Sequence, residues 1–172
     1  RFGTFYGLSA MGSTRIEELA DSSHGLKFFQ VYIFKDRGLT REFLAKSKQG
    51  GYQALCLTVD TPIAGNRERD IYSGMTIPPR PTLRALAGFA TKWRWLAGLA
   101  KNRDFFIANV ADRLNATERG TSSIIDFVNK QFDPSISWQD LEWLASEWDG
   151  PLILKGVLSP DDARRAQRIG VS

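Results

Sequence analysis

Hydrophobic positions along the chain gather in short runs with a period of two, separated by longer stretches with the three-and-four spacing of helices. The clearest run opens Ala54–Arg67 (ALCLTVDTPIAGNR), with Gly50-Gly51 before it and Thr61-Pro62 at its exit, and it reads as a buried strand. Alternation sets Leu55, Leu57 and Val59 on one face and Ala54, Cys56, Thr58 and Asp60 on the other. The bulky face suits packing against helices. The opposite face is small and turns polar only at its carboxyl end. Two readings are open here: one spoke of an α/β active site, or a plain core strand whose Asp60 caps the next turn.

The same grammar recurs on either side. Gly3–Leu8 (GTFYGL) predicts a short strand ending at Ser9, and Thr14-x-x-Glu17 predicts a capping box for a helix carrying Ile16, Leu19 and Ala20. Leu26–Ile33 predicts a strand with Phe28, Gln30 and Tyr32 on one face and Phe29, Val31 and Ile33 on the other. Thr40 is expected to cap a helix carrying Phe43 and Leu44 that stops at Gly50-Gly51. Downstream, Ser137-x-x-Asp140 opens a helix in which Trp138, Leu141, Leu144, Ala145 and Trp148 recur at helical spacing, and Gly150-Pro151 closes it. Leu152–Lys155 is the next strand. Ser159-Pro160-Asp161-Asp162 then supplies an N-cap, a first-turn proline and two acids matched to the helix dipole, for a helix reaching Ile169 before Gly170.

Strand and helix thus alternate four times, with polar strand ends pointing one way. The pattern predicts an α/β fold with a parallel sheet, part of a (β/α)8 TIM barrel. A whole barrel takes about 250 residues, so these 172 are expected to be an internal fragment. One interval is out of proportion. Tyr32 to Asp60 is 28 positions, an ordinary crossover, whereas Asp60 to Lys155 is 95. Residues 61–132 therefore read as a long insertion after the third strand, inside a single incomplete barrel domain spanning 1–172.

Charge changes the picture within that insertion. The formal net charge is only +4, but Arg80–Arg103 holds Arg80, Arg84, Lys92, Arg94, Lys101 and Arg103 with no acid. Leu83, Leu86, Phe89, Trp93, Trp95, Leu96 and Leu99 are interleaved. A helix lying on an anionic bilayer needs such a mixture. The competing reading is an excursion that packs on the core with its arginines solvated. Single-stranded nucleic acid could use basic and aromatic chemistry too, but no stacking platform is evident, so no nucleic-acid partner is expected. No apolar run reaches the roughly 18 residues of a membrane span. Cys56 is the only cysteine, and burial is its expected role; His24, the only histidine, sits in a Ser-Ser-His-Gly loop.

The strand exits collect Ser9, Gln30, Tyr32, Thr58, Asp60 and Lys155, with Arg67 just beyond. A hydroxyl or amide beside a lysine suits a flat heterocycle with carbonyls, and tyrosine with arginine suits a small carboxylate. No metal-ligand set is present.

These residues lie in the strings FFQVY, LTVDTP followed by NRERD, FDPSISWQDLEWL and GPLILKGVLSPDDARRA. Together the strings resemble the FMN-dependent α-hydroxy acid dehydrogenase family, which includes glycolate oxidase, mandelate dehydrogenase and bacterial respiratory L-lactate dehydrogenase. The resemblance implies FMN as cofactor, contacted by Ser9, Gln30, Thr58 and Lys155, with Lys155 on the pyrimidine side of the flavin. It implies that Tyr32, counted with Asp60 as catalytic, and Arg67 hold the substrate carboxylate and hydroxyl, and that Asp60 stabilises the charged form of a histidine base. That histidine and a second substrate arginine are expected beyond Ser172, as is a glycine-rich phosphate site, and a substrate tyrosine before Arg1. Met11 stands where several relatives carry an aromatic residue. The SISWQDLEWL string leans toward lactate over mandelate.

The implied activity is oxidation of an L-2-hydroxy acid, L-lactate to pyruvate, with electrons passed to a quinone or other respiratory acceptor. The Trp93/Trp95 insertion favours membrane-associated dehydrogenases, hence a homo-oligomeric cytoplasmic parent held peripherally on the inner face of the cell membrane. The fragment alone is expected to be inactive. A soluble oxygen-using 2-hydroxy acid oxidase and a non-catalytic, ligand-binding half-barrel are the alternatives.

Overall fold

Strands β1 (Tyr6–Ser9), β2 (Lys27–Val31), β3 (Ala54–Thr58) and β4 (Leu152–Lys155) pair in sequence order, every pair parallel. They belong to a computed structural model that describes residues 3–61, 68–73, 88, 90–101, 107–111 and 121–172. Parallel register carries each side chain onto the same face as its partner. Leu8, Phe29, Leu55 and Leu152 therefore form one rung of the covered face, and Val31, Leu57 and Leu154 the next. The first four are at most 3% exposed. Helices α1 (Ile16–Ser22) and α2 (Arg37–Gln49) bury Ile16, Leu39, Phe43 and Leu44 against this face.

The sequence rules hold best where a cap lies within a few residues of what it caps. Gly50 ends α2, with Gly51 at φ +65°. Two expected caps fail. Asp36, not Thr40, caps α2, accepting from the backbone N–H groups of Gly38 and Leu39. Thr40 lies inside the helix, fully buried, and its Oγ1 accepts from Phe34 N at the exit of β2. Thr14 does not cap α1 either. The first free amide of that helix, Ile16 N, donates to Asn109 Oδ1 at 2.9 Å, from 93 residues downstream. A partner so distant in sequence leaves no local signature at the helix start.

Between β3 and β4 the described elements are α3 (Glu68–Ser73), α4 (Trp93–Lys101), α5 (Ala108–Ala111), α6 (Thr121–Gln131) and α7 (Trp138–Glu147). They divide into two kinds. On α4, Trp93 is 69% and Trp95 49% exposed, and Leu96 is also open to solvent. By contrast Val110 of α5 and Val128 of α6 are buried in the main core. Past α6, Phe132 bridges Phe34, while Lys35 N and Asp36 N donate to the main-chain and side-chain oxygens of Gln131. The chain is then fastened by Arg37, which pairs with Asp133 at 2.9 Å and Asp140 at 2.7 Å. Ser137 and Asp140 form the expected capping box of α7. The last helix, α8 (Pro160–Ile169), begins at Ser159 and ends at Gly170 in the left-handed conformation, both as expected.

Candidate functional site

The uncovered face of the sheet carries Ser9, Gln30, Cys56 and Ile153 in one rung, and Thr58 beside Lys155 one step nearer the carboxyl ends. Gln30 organises the middle. Its Nε2 donates to Thr58 Oγ1 at 2.7 Å and to Tyr32 OH at 3.3 Å. Thr58 is 2% exposed, so this hydrogen bond satisfies a hydroxyl that burial would otherwise penalise. Tyr32 is held from its other side by Phe132, edge-on with ring centroids 5.4 Å apart.

Toward β4, Lys155 Nζ donates to Asp60 Oδ2 at 3.0 Å, and Val59 N donates to the Lys155 carbonyl. The bond to Asp60 holds the Lys155 ammonium above the usual lysine range. Gly156 makes this approach possible. Its φ is +98°, and a Cβ there would lie 2.5 Å from Asp60 Cβ. Burial pushes the Cys56 thiol up, partly offset by nearby Lys155. Toward β1, Ser9 Oγ accepts from Met11 N and the Ser9 carbonyl accepts from Gly12 N at 2.8 Å, closing a tight turn.

The strand exits thus bring together six of the seven expected residues, with Arg67 outside the described residues. A cavity of about 360 Å³ opens beside them. It shares Tyr32 and Thr58 with the cluster and is otherwise walled by residues such as Phe132, Trp138, Leu158 and Asp162; Ser9, Gln30, Asp60 and Lys155 stand outside its lining. His24 is exposed and precedes β2, so it lies at the opposite end of the sheet from this cluster. Sequence reasoning gave no role to Phe132, Asn109 or Gly156. The available signals were slight: an aromatic in the FDPSISW string and a glycine directly after a strand end.

The model of the FMN-dependent dehydrogenase family matches residues 1–172. The chain belongs to this family. Among curated relatives, it is 42% identical to an L-lactate dehydrogenase of Pseudomonas aeruginosa over 173 residues, 98% of this chain and 44% of that protein. An L-lactate dehydrogenase of Ectopseudomonas mendocina is 41% identical over 171 residues, with the same coverage. The chain therefore spans under half the length of these relatives. Its fold superposes on the monotopic membrane protein (S)-mandelate dehydrogenase with a TM-score of 0.84, at 28% identity over 97% of this chain and 44% of that one. A lactate oxidase of Pediococcus acidilactici shares the fold at a TM-score of 0.64, 23% identity, 97% of this chain and 36% of that one.

As a member of this family, the chain is part of a (β/α)8 barrel, and its cofactor is FMN. The donor set fits a flavin. An exposed ammonium, an amide and two hydroxyls share one face of the sheet at its carboxyl end, where barrel enzymes place their chemistry.

Proposed function

We propose that the whole protein oxidises an L-2-hydroxy acid, L-lactate to pyruvate, and passes the electrons to a quinone or other respiratory acceptor. The observation that carries this reading is the linked cluster of Gln30, Tyr32 and Thr58 beside Lys155, in a chain about 40% identical to proteins named L-lactate dehydrogenase.

Ser9, Gln30, Thr58 and Lys155 would hold the flavin, which when bound takes the hydrogen and electron pair from the hydroxyl-bearing carbon of the substrate. Polarity within the cluster supports this division. The Gln30 amide nitrogen is committed to two hydroxyl oxygens, so its carbonyl oxygen is the atom left to accept from a ring N–H. Tyr32 and Thr58, accepting from Gln30, keep their own protons to donate. Tyr32 would donate to the substrate carboxylate, with Arg67 as its charged partner. Lys155 would place its positive charge where reduction deposits a negative one. Asp60 would stabilise the cation of a histidine base from a part of the whole protein outside these 172 residues, since His24 is at the wrong end of the sheet.

The exposed tryptophans and neighbouring Lys92, Arg94 and Lys101 of α4 support peripheral contact with the anionic inner face of the cell membrane. No helix among the described residues is long and apolar enough to cross a membrane.

The test is Lys155→Met in the whole protein. The variant is expected to retain less FMN and to have a lower flavin reduction potential. Unchanged flavin content and potential would overturn the assignment of Lys155, and a wild-type protein without L-lactate-dependent dye reduction would overturn the activity.

A further inference from the structure

The segment that leaves the barrel after β3 comes back to touch the opposite edge of the sheet. Asn109, on α5, is 4% exposed and uses both ends of its amide on the turn between β1 and α1. Its Oδ1 accepts from Ile16 N at 2.9 Å and its Nδ2 donates to the Thr14 carbonyl at 3.1 Å. Next to it, Ala108 N donates to the Gly12 carbonyl at 3.1 Å. That turn begins at Ser9, whose carbonyl accepts from Gly12 N and whose hydroxyl accepts from Met11 N. Ala10 N, in turn, donates to the Gln30 carbonyl. Residues 9–16 are therefore clasped on one side by β2 and on the other by 108–109.

We propose that Asn109 is a positioning residue for the flavin site, acting through the turn that carries Ser9. This rests on the reading of Ser9 as a flavin contact. The physical argument is one of populations. A turn held by a buried amide is already in the conformation that binds, whereas a turn without it samples others, and binding affinity falls by the fraction lost. At the start of α1, where Glu18 accepts from Arg15 N, the same amide supplies for Ile16 N the acceptor that Thr14 does not. Interior location matters as well: an amide removed here leaves the Ile16 N–H and the Thr14 carbonyl without their partner in a place water does not easily reach.

The experiment compares Asn109→Ala, Asn109→Asp and Val110→Ala in the whole protein. Val110 is on the same element and fully buried in the main core, but its apolar side chain offers the turn no hydrogen bond. The FMN dissociation constant, measured by flavin fluorescence well below the melting temperature, should rise about tenfold in Asn109→Ala, the equivalent of one buried hydrogen bond. Asn109→Asp keeps the acceptor for Ile16 N and loses the donor to Thr14, so it should fall between. Val110→Ala should lose stability and leave the constant within about twofold. Hydrogen exchange of the apoprotein supplies a second reading: the Ile16 and Ala108 amides should exchange faster in Asn109→Ala and not in Val110→Ala. Wild-type FMN affinity and exchange in Asn109→Ala would overturn this inference alone, as would an equal loss of affinity in Val110→Ala. A wild-type protein that bound no FMN would overturn it together with the proposed function.

Discussion

Two tryptophan-bearing helices between β3 and β4 meet opposite fates. In α7 and at its C-cap, Trp148, the indoles are taken into the protein. Trp148 is 6% exposed and donates through Nε1 to the Pro151 carbonyl, and Trp143 donates to Glu147. Arg165 lies over the Trp138 ring at 4.5 Å and Arg41 over Trp143 at 5.4 Å. In α4 Trp93 and Trp95 face outward among basic side chains. Both helices are amphipathic, so apolar spacing alone does not separate them. Charge does. Asp140 and Glu147 give α7 ion-pair partners for Arg37 and Arg41 of α2, whereas α4 holds no acid at all. A cationic helix with no acid of its own is better suited to an anionic surface than to a core.

The contrast breaks most readily on stability. Trp148→Ala should cost about 3–5 kcal/mol, while Trp93→Ala should stay within about 0.5 kcal/mol, as an exposed substitution does. Urea unfolding of the whole protein reads both, and similar losses would mean that α4 is packed as α7 is. Surface binding sharpens it next. Replacing Lys92, Arg94 and Lys101 by serine should weaken binding to anionic vesicles by about 1 kcal/mol per residue. Raising salt should reproduce that loss in the unaltered protein, because exposed charges are screened. Co-sedimentation measures it; failure of the unaltered protein to co-sediment at low salt would remove the membrane reading.

The smallest effect concerns the point at which the excursion becomes docked. Hydrogen bonds from Ser135, with Arg37 beside them, hold the Asp133 carboxyl below the usual aspartate range. A carboxyl whose folded pKa is depressed contributes stability above its unfolded value and loses it as pH falls through the folded one. Asp133→Asn should therefore lower stability at neutral pH by less than about 1 kcal/mol and flatten the acid limb, the two proteins converging below the folded pKa. An identical acid limb in wild type and variant would show that the clasp is not electrostatic.

What the sequence made legible follows from how far each interaction reaches along the chain. The strands, their two faces and the polar exits were readable because alternation is a local property. So were the Ser137 and Ser159 caps, which act within three residues. The failures at Thr14 and Thr40 have the opposite cause. Asn109 lies 93 residues from the helix end it serves, and Thr40 turned away from its own helix toward Phe34. The cluster at the exits was named residue by residue, yet its wiring was not. That Gln30 bonds Thr58, or that Phe132 stands against Tyr32, depends on pairings 28 and 100 positions apart, which no local pattern encodes.

The double fastening of the excursion gives the fold a modular character. On one side the chain leaves from Asp60, pinned by Lys155 and wedged by Gly156; on the other it is captured again at Ala108 and Asn109. With both ends fixed by the barrel, the closure entropy of what lies between grows only as the logarithm of its length, about 0.6 kcal/mol for each doubling. The interval from 68 to 107 is thus a cassette. On the membrane-contact reading proposed above, exchanging its contents would change which surface such a protein meets while the sheet, the exits and the turn at Ser9 stay as they are.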